Sequence, residues 1–222
     1  MRVPGLGGWR EDPLWSYVYP WLVEHPEVGR PAWRVGTGSD LRLIDEAAAE
    51  LGTLPAGARV LDVPTGSGVA LRGVRPGQGL DVVLTDISPT MLGRARATAQ
   101  QRGVADQVHA AVADVGNLPF DDRSFDLVVS FTGLHCFPDP RRAIEEMARV
   151  LAEGGVITGS SILTDTGVRY EPLRRAGARA GILGPMCSSG DAVRWLRAAG
   201  CDTVDLRLRG ALGYFRATKG AA

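Results

Sequence analysis

The chain has 222 residues, 45% of them hydrophobic, enough to bury one substantial core and too few to call for more than one main domain. Twenty-five basic residues balance twenty-five acidic ones and no basic run or stripe stands out, which argues against a polyanion-binding surface and against nucleic acid as a partner. The opening residues, MRVPGLGGWRED, hold no apolar stretch of signal-peptide length, and no segment approaches the ~18 apolar residues of a membrane span, so the expected location is cytoplasmic and no membrane association is expected.

Four of the five tryptophans, Trp9, Trp15, Trp21 and Trp33, precede residue 34 together with Tyr17 and Tyr19, in a stretch broken by prolines. Residues 1–38 therefore read as a small aromatic cap ahead of a main domain over 39–222. SDLRLIDEAAAEL reads as a helix with Ser39 as N-cap, an apolar face through Leu41, Ile44, Ala48 and Leu51, and Gly52 as a stop. RVLDV at 59–63 is a short apolar strand, followed by the turn PTGSG and a short helix from about Val69. DVVLT at 81–85 is the next strand, and the helix after it has Ser88 as N-cap, Pro89 at its first position, apolar Met91, Leu92, Ala95 and Ala99, and Gly103 at its end. VHAAV, FDLVVS and GVITGSS supply three more strands, with a helix from Pro140 to about Ala152 between the last two, capped by Asp139. The tail adds the helix AVRWLRAAG and two strands, around VDLRLR and GYFRAT, near enough to form an antiparallel hairpin. Continuous apolar strands alternating with helices predict an α/β fold, doubly wound and mostly parallel, with seven strands, a C-terminal antiparallel hairpin and the small N-terminal cap. Cys136, Cys187 and Cys201 form no CxxC pair and have no histidine at ligand spacing, so they read as reduced structural thiols and no metal is expected.

In such a sheet a ligand sits outside the carboxyl ends of the strands, where strand order reverses. The turn after the first strand, Asp62 to Gly68, has Gly66 and Gly68 to admit a close backbone approach and Asp62 to accept from an ammonium or, through water, a ribose. Asp86 closes the second strand, 24 residues beyond Asp62, where a carboxylate can take both ribose hydroxyls. Asp114 follows the third strand and can accept from an adenine amine, with the Val115 amide available to a ring nitrogen. Three acceptors at three successive strand ends outline an adenosine. A dinucleotide would also present one, but GxGxxG requires glycine at position 71 and Leu71 stands there, so a ligand without a pyrophosphate is favoured.

At this point the residues resemble the class I S-adenosylmethionine-dependent methyltransferases, in particular the ubiquinone/menaquinone-biosynthesis-like branch acting on small molecules. The resemblance runs from about Val60 to Gly159 through VLDVPTGSG, VVLTDISPTMLGRAR, VADVGNLPFDDRSFDLVVS and RRAIEEMARVLAEGGVITGSS. It implies a Rossmann-like fold and S-adenosylmethionine as cofactor, with S-adenosylhomocysteine as product. Asp62, Pro64, Thr65, Gly66 and Gly68 would form the methionine-side loop, Asp86 would meet the ribose, and Ile87, Met91, Asp114 and Val115 the adenine. Phe131 would line the methionine end, and an N-terminal tyrosine, Tyr19 or Tyr17, would approach the cofactor. Pro64 departs from the family's usual glycine; it fixes φ and removes one donor, with a modest change of loop shape expected.

The reaction so implied is in-line displacement on an activated methyl, for which alignment and desolvation supply much of the rate. His135, in FTGLHCFPDP, is the best-placed candidate for a catalytic base, with a packing or substrate-orienting role the alternative. The aromatic N-terminus would supply flat walls or the core of a small cap, and residues 162–188 would form a lid in which Tyr170, Arg174, Arg175 and Met186 meet a small-molecule acceptor, a solvated face being the alternative for the arginines. The alternatives left open are a cofactor-binding cyclase or rearrangement catalyst, a nicotinamide oxidoreductase, and a non-catalytic binding module.

Overall fold

The computed structural model describes Trp21 and residues 25–221. Seven strands, β1 (Arg59–Asp62), β2 (Asp81–Asp86), β3 (Val108–Val112), β4 (Phe125–Phe131), β5 (Leu151–Ile162), β6 (Cys201–Arg209) and β7 (Leu212–Lys219), form one sheet in the order β3-β2-β1-β4-β5-β7-β6. β1 to β5 are mutually parallel, and β7 runs antiparallel to both β5 and β6. The order reverses beside β1, which lies between β2 and β4, so a crevice opens there at the carboxyl ends. This is the doubly wound, mostly parallel sheet with a C-terminal hairpin that the alternation of strands and helices predicts.

Among the described residues the α-helices are α1 (Pro26–Thr37), α2 (Arg42–Ala48), α3 (Pro89–Gln101), α4 (Pro140–Val150), α5 (Glu171–Arg179) and α6 (Ser189–Ala198). Strand alternation splits the core in two. Val60, Val82, Leu84, Leu127 and Val129 face α2 and α3, where Ile44, Leu92 and Ala95 meet them. Leu61, Val83, Val128 and Ile157 face α4 and α6, against Ile144, Met147 and Leu196.

The caps of α3 and α4 lie where the sequence puts them: Ser88 Oγ accepts from the Met91 amide at 3.3 Å, and Asp139 Oδ1 from the Arg142 amide at 2.9 Å. Boundaries differ in α2 and α4. The α2 cap is not Ser39: the Asp40 carboxylate accepts from the Arg42 amide at 3.0 Å, while the Ser39 hydroxyl is drawn 2.9 Å from the Tyr214 phenol on β7. α2 then tightens into a 3₁₀ turn over Ala49–Thr53, although its apolar face, Leu41, Ile44, Ala48 and Leu51, is buried as predicted. α4 stops at Val150 instead of Ala152, because Leu151 pairs with Phe125 in the sheet and Lys219 Nζ takes the carbonyls of Ala148 and Leu151, both at 2.7 Å.

α1 falls in the stretch that prolines mark as broken. Pro26 opens the helix, where no amide is needed, and Pro31 is accommodated inside it. Gly38 ends it in the left-handed region at φ 68°, its amide donating to Arg34 O at 2.9 Å. The Ala211 amide in the β6–β7 turn donates to Thr37 O at 2.6 Å, fastening the helix to the far end of the chain, and Trp33 is buried in the α2/α3 side of the core. Trp9, Trp15, Tyr17 and Tyr19 lie outside the described residues. Among the described residues, no helix is long and apolar enough to cross a membrane. Cys187 and Cys201 are buried, and burial pushes their thiols up to about 12 and about 11, so both are protonated and unreactive at neutral pH.

Candidate functional site

β1 delivers Asp62 to the crevice with its backbone held on both sides: it pairs with Leu84 of β2 and Val129 of β4. The loop that follows is stitched to both neighbours, the Val63 amide donating to Val129 O at 2.9 Å and the Thr65 amide to Thr85 O at 2.8 Å. The Val63–Pro64 peptide is cis. Thr65 turns its hydroxyl inward and donates to Asp62 Oδ2 at 2.7 Å. Burial pushes the Asp62 carboxyl up to about 7; the Thr65 hydrogen bond opposes this and the Asp86 charge adds to it. Asp62 is thus a buried acid with no cationic partner among the described residues, placed to meet one.

Gly66 and Gly68 both have positive φ, 53° and 85°, but they differ in use. A side chain at Gly66 would meet nothing within 4 Å, so that backbone faces open space in the crevice. At Gly68 a Cβ would lie 3.0 Å from Leu71 Cδ1 and 3.3 Å from the Ala95 Cα on α3. Gly68 thus brings the loop against a helix and is not among the residues that line the crevice. Leu71, where a dinucleotide fingerprint would have glycine, is fully buried in the core.

Asp86 ends β2 and is largely buried. Its Oδ2 accepts from the Gly66 amide at 3.0 Å and its Oδ1 from the Ser88 amide at 2.9 Å, so one carboxylate fixes the loop and the entry to α3. Ile87 and the buried Met91 adjoin it, and beyond β3 Asp114 Oδ1 accepts from the Gly116 amide at 2.9 Å beside buried Val115.

The opposite wall starts at the end of β4, with Phe131 and Thr132, and continues into a 3₁₀ turn over Leu134–Cys136. His135 is buried there. The Ile162 amide, at the end of β5, donates to its Nδ1 at 3.0 Å, and Ser161 Oγ lies 3.3 Å from the same atom. Burial pulls the imidazole down to about 4, so it is neutral at physiological pH. The Gly184 amide donates to His135 O at 2.7 Å, which brings the 182–184 loop against the site.

These walls enclose a cavity of about 910 Å³, within the range that holds a cofactor and a small molecule. Asp62, Pro64, Thr65, Gly66, Asp86, Ile87, Met91, Asp114, Val115, Phe131 and His135 all line it, whereas Gly68 does not and Tyr19 is outside the described residues. Its apolar side is built by Trp33 on α1 and by Leu173, Ala176, Gly177 and Ala180 on or beside α5. The last four recur at i, i+3, i+4 and i+7, a helical stripe visible in the sequence but overlooked beside the arginines. Those arginines do other work. Arg174 is buried and donates to Leu163 O, Thr166 Oγ1 and Gly167 O, and Arg175 pairs with Glu171, so neither lines the cavity; Tyr170 and Met186 do not line it either.

Residues 61–158 match the methyltransferase domain family. The chain is 40% identical over 119 residues to the demethylmenaquinone methyltransferase of Thermus thermophilus, covering 53% of this chain and 53% of that protein. It is 39% identical over 116 residues to the 27-O-demethylrifamycin SV methyltransferase of Amycolatopsis mediterranei, covering 51% of this chain and 42% of that one. The chain thus spans about half the length, or less, of the curated relatives it matches. Among solved structures, the SpnF cyclase superposes with a TM-score of 0.65 at 22% identity, covering 82% of this chain and 81% of that one, which is a likeness of fold. Residues 61–158 are therefore a methyltransferase domain, similar over that stretch to methyltransferases of quinone biosynthesis.

Proposed function

We propose that the chain transfers a methyl group from S-adenosylmethionine to a small organic acceptor, at oxygen, nitrogen or carbon, by in-line displacement. The observation that carries this is the placing of Asp62, Asp86 and Asp114 at the ends of β1, β2 and β3 on one cavity, with a family match over the same strands. The donor set suits the cofactor: Asp62 would take the ammonium, Asp86 the ribose hydroxyls, and Asp114 with the Val115 amide the adenine. Pro64, Thr65, Gly66 and Phe131 would border the methionine part, and Ile87 and Met91 would flank the ring. When bound, the sulfonium supplies an already activated methyl, so what is asked of the protein is orientation and exclusion of water.

The apolar stripe of α5 and Trp33 of α1 support a mainly apolar acceptor. In this reading residues 1–38 are a cap, residues 39–222 the catalytic domain and 162–188 a lid over the acceptor. Tyr19 belongs with the cap. The protein works in the cytoplasm on a small molecule, with neither nucleic acid nor membrane as partner.

The fold likeness to the SpnF cyclase favours one second reading, a cofactor-bound catalyst of cyclisation. Calorimetric titration with S-adenosylhomocysteine and, separately, with NADH tests the cofactor class. Micromolar binding of the thioether alone, about −8 kcal/mol, is expected; binding of NADH alone would overturn the reading. Transfer of label from methyl-labelled cofactor to an acceptor then separates methylation from cyclisation.

A further inference from the structure

We propose that His135 serves the methyl acceptor as a fixed Nε2–H hydrogen-bond donor to an oxygen that arrives already ionised, a phenolate or an enolate, and not as a proton acceptor. The inference rests on the methyl-transfer reading above.

A neutral imidazole has two nitrogens and one proton, and its partners decide which nitrogen holds it. Nδ1 accepts from the Ile162 amide at 3.0 Å, which a nitrogen bearing its own proton cannot do. That amide cannot turn away, because Ile162 ends a strand whose final residues pair with β7, Ile162 itself with Leu212. Ser161 Oγ, 3.3 Å from Nδ1, donates to Ile162 O at 3.0 Å and leaves the nitrogen's lone pair to the amide. The ring proton is therefore on Nε2. That nitrogen hydrogen-bonds to no described residue, and the ring lines the cavity.

Protonating Nδ1 would set two N–H groups head on. Burial, acting alone, disfavours the imidazolium in the same direction. The groups around the ring do not counter it. β5 presents Ser161 and Ile162, and the 182–184 loop presents uncharged residues. On α4, Arg141, Arg142, Glu145, Glu146 and Arg149 pair with one another or with Asp122. Among the described residues, the cavity's other titratable side chains are Cys136 and the three strand-end aspartates.

An acceptor that must shed a proton to the protein as it attacks finds no base at this ring. An acceptor whose lone pair is already free does not need one, and a donor held at Nε2 positions its oxygen. The bond formed joins the phenolate oxygen, or the enolate carbon, to the methyl carbon. The methyl–sulfur bond breaks with its electron pair on sulfur, and no proton moves.

The test uses the full chain saturated with S-adenosylhomocysteine, with 4-nitrophenol as probe. A fixed donor stabilises the bound phenolate, so its spectroscopic titration is expected to shift to lower pH, with ionisation favoured about tenfold over free probe. His135→Gln, which keeps an N–H donor, should retain most of the shift, and His135→Phe should abolish it without changing S-adenosylhomocysteine affinity. Nitrogen-15 spectra of the ring-labelled chain should show Nε2 protonated and Nδ1 bare throughout the neutral range. A nitrophenol shift to higher pH, no saturable binding, or a protonated Nδ1 would each overturn the proposal. Failure of the wild-type chain to bind S-adenosylhomocysteine instead overturns the methyl-transfer reading, and the nitrogen-15 spectra still decide the state of His135.

Discussion

The Thr65 hydroxyl donates a 2.7 Å hydrogen bond to Oδ2 of Asp62, inside a crevice where no described cation balances that carboxyl. One hydrogen bond does not offset the burial of a charge, and Asp62 stays protonated up to about pH 7. Its properties should therefore depend on pH in a range where aspartates are normally silent.

Ligand affinity is the first consequence. If the ammonium of S-adenosylhomocysteine binds the ionised carboxylate, the proton must leave as the ligand arrives. Affinity should hold above about pH 7 and fall below it, approaching tenfold per pH unit. Calorimetry in buffers of different ionisation enthalpy should register proton release near pH 6. Affinity that is flat from pH 5.5 to 8 would remove Asp62 from the ammonium site.

Stability without ligand should run the other way from that of a salt-bridged aspartate. Between the unperturbed value of 3.8 and about 7, the folded chain keeps a proton that the unfolded chain loses, so this group's contribution to stability declines as pH rises through that window. Asp62→Asn should be close to neutral at pH 4 and stabilising by about 2 to 4 kcal/mol at pH 8, read from denaturant midpoints. Equal midpoints at both pH values would mean that the carboxyl is not buried in solution.

Asp86 holds the Gly66 and Ser88 amides, one on each oxygen. Asp86→Ala should weaken S-adenosylhomocysteine binding by about 1 to 3 kcal/mol, from lost ribose contacts and a loosened loop. Circular dichroism would verify that the variant is folded, and unchanged affinity in a folded variant would contradict the assignment.

Gly68→Ala should destabilise the chain by about 1 to 2 kcal/mol. The position combines φ 85° with a would-be Cβ 3.0 Å from Leu71 Cδ1. Gly66→Ala meets no neighbouring atom but must adopt φ 53°, so it should lose about 1 kcal/mol from the left-handed backbone alone and in addition weaken S-adenosylhomocysteine binding. A larger midpoint loss for Gly66→Ala than for Gly68→Ala would contradict the close packing of Gly68 against Leu71 and Ala95.

The strands, the Ser88 and Asp139 caps, the buried face of α2 and the three acidic strand ends were legible in the sequence, because apolar period and capping depend on residues a few positions apart. The cavity lining was legible in large part for the same reason, since a motif after each strand arrives at the carboxyl edge wherever the strands align. Other features are set by partners distant in the chain. Ser39 does not cap α2, since its hydroxyl lies against the Tyr214 phenol while the Asp40 carboxylate takes the Arg42 amide, and α4 ends early because Lys219 takes its last carbonyls. α1 forms across two prolines with Thr37 O held by the Ala211 amide. The chemical state of the site has the same origin: Asp62 is a weak acid because the folded chain dehydrates it, and His135 carries its proton on Nε2 because Ile162, 27 residues away, occupies Nδ1. The sequence alone determined which groups reach the crevice. The tertiary structure decided their protonation and direction, since desolvation and long-range hydrogen bonds exist only once the chain has closed on itself.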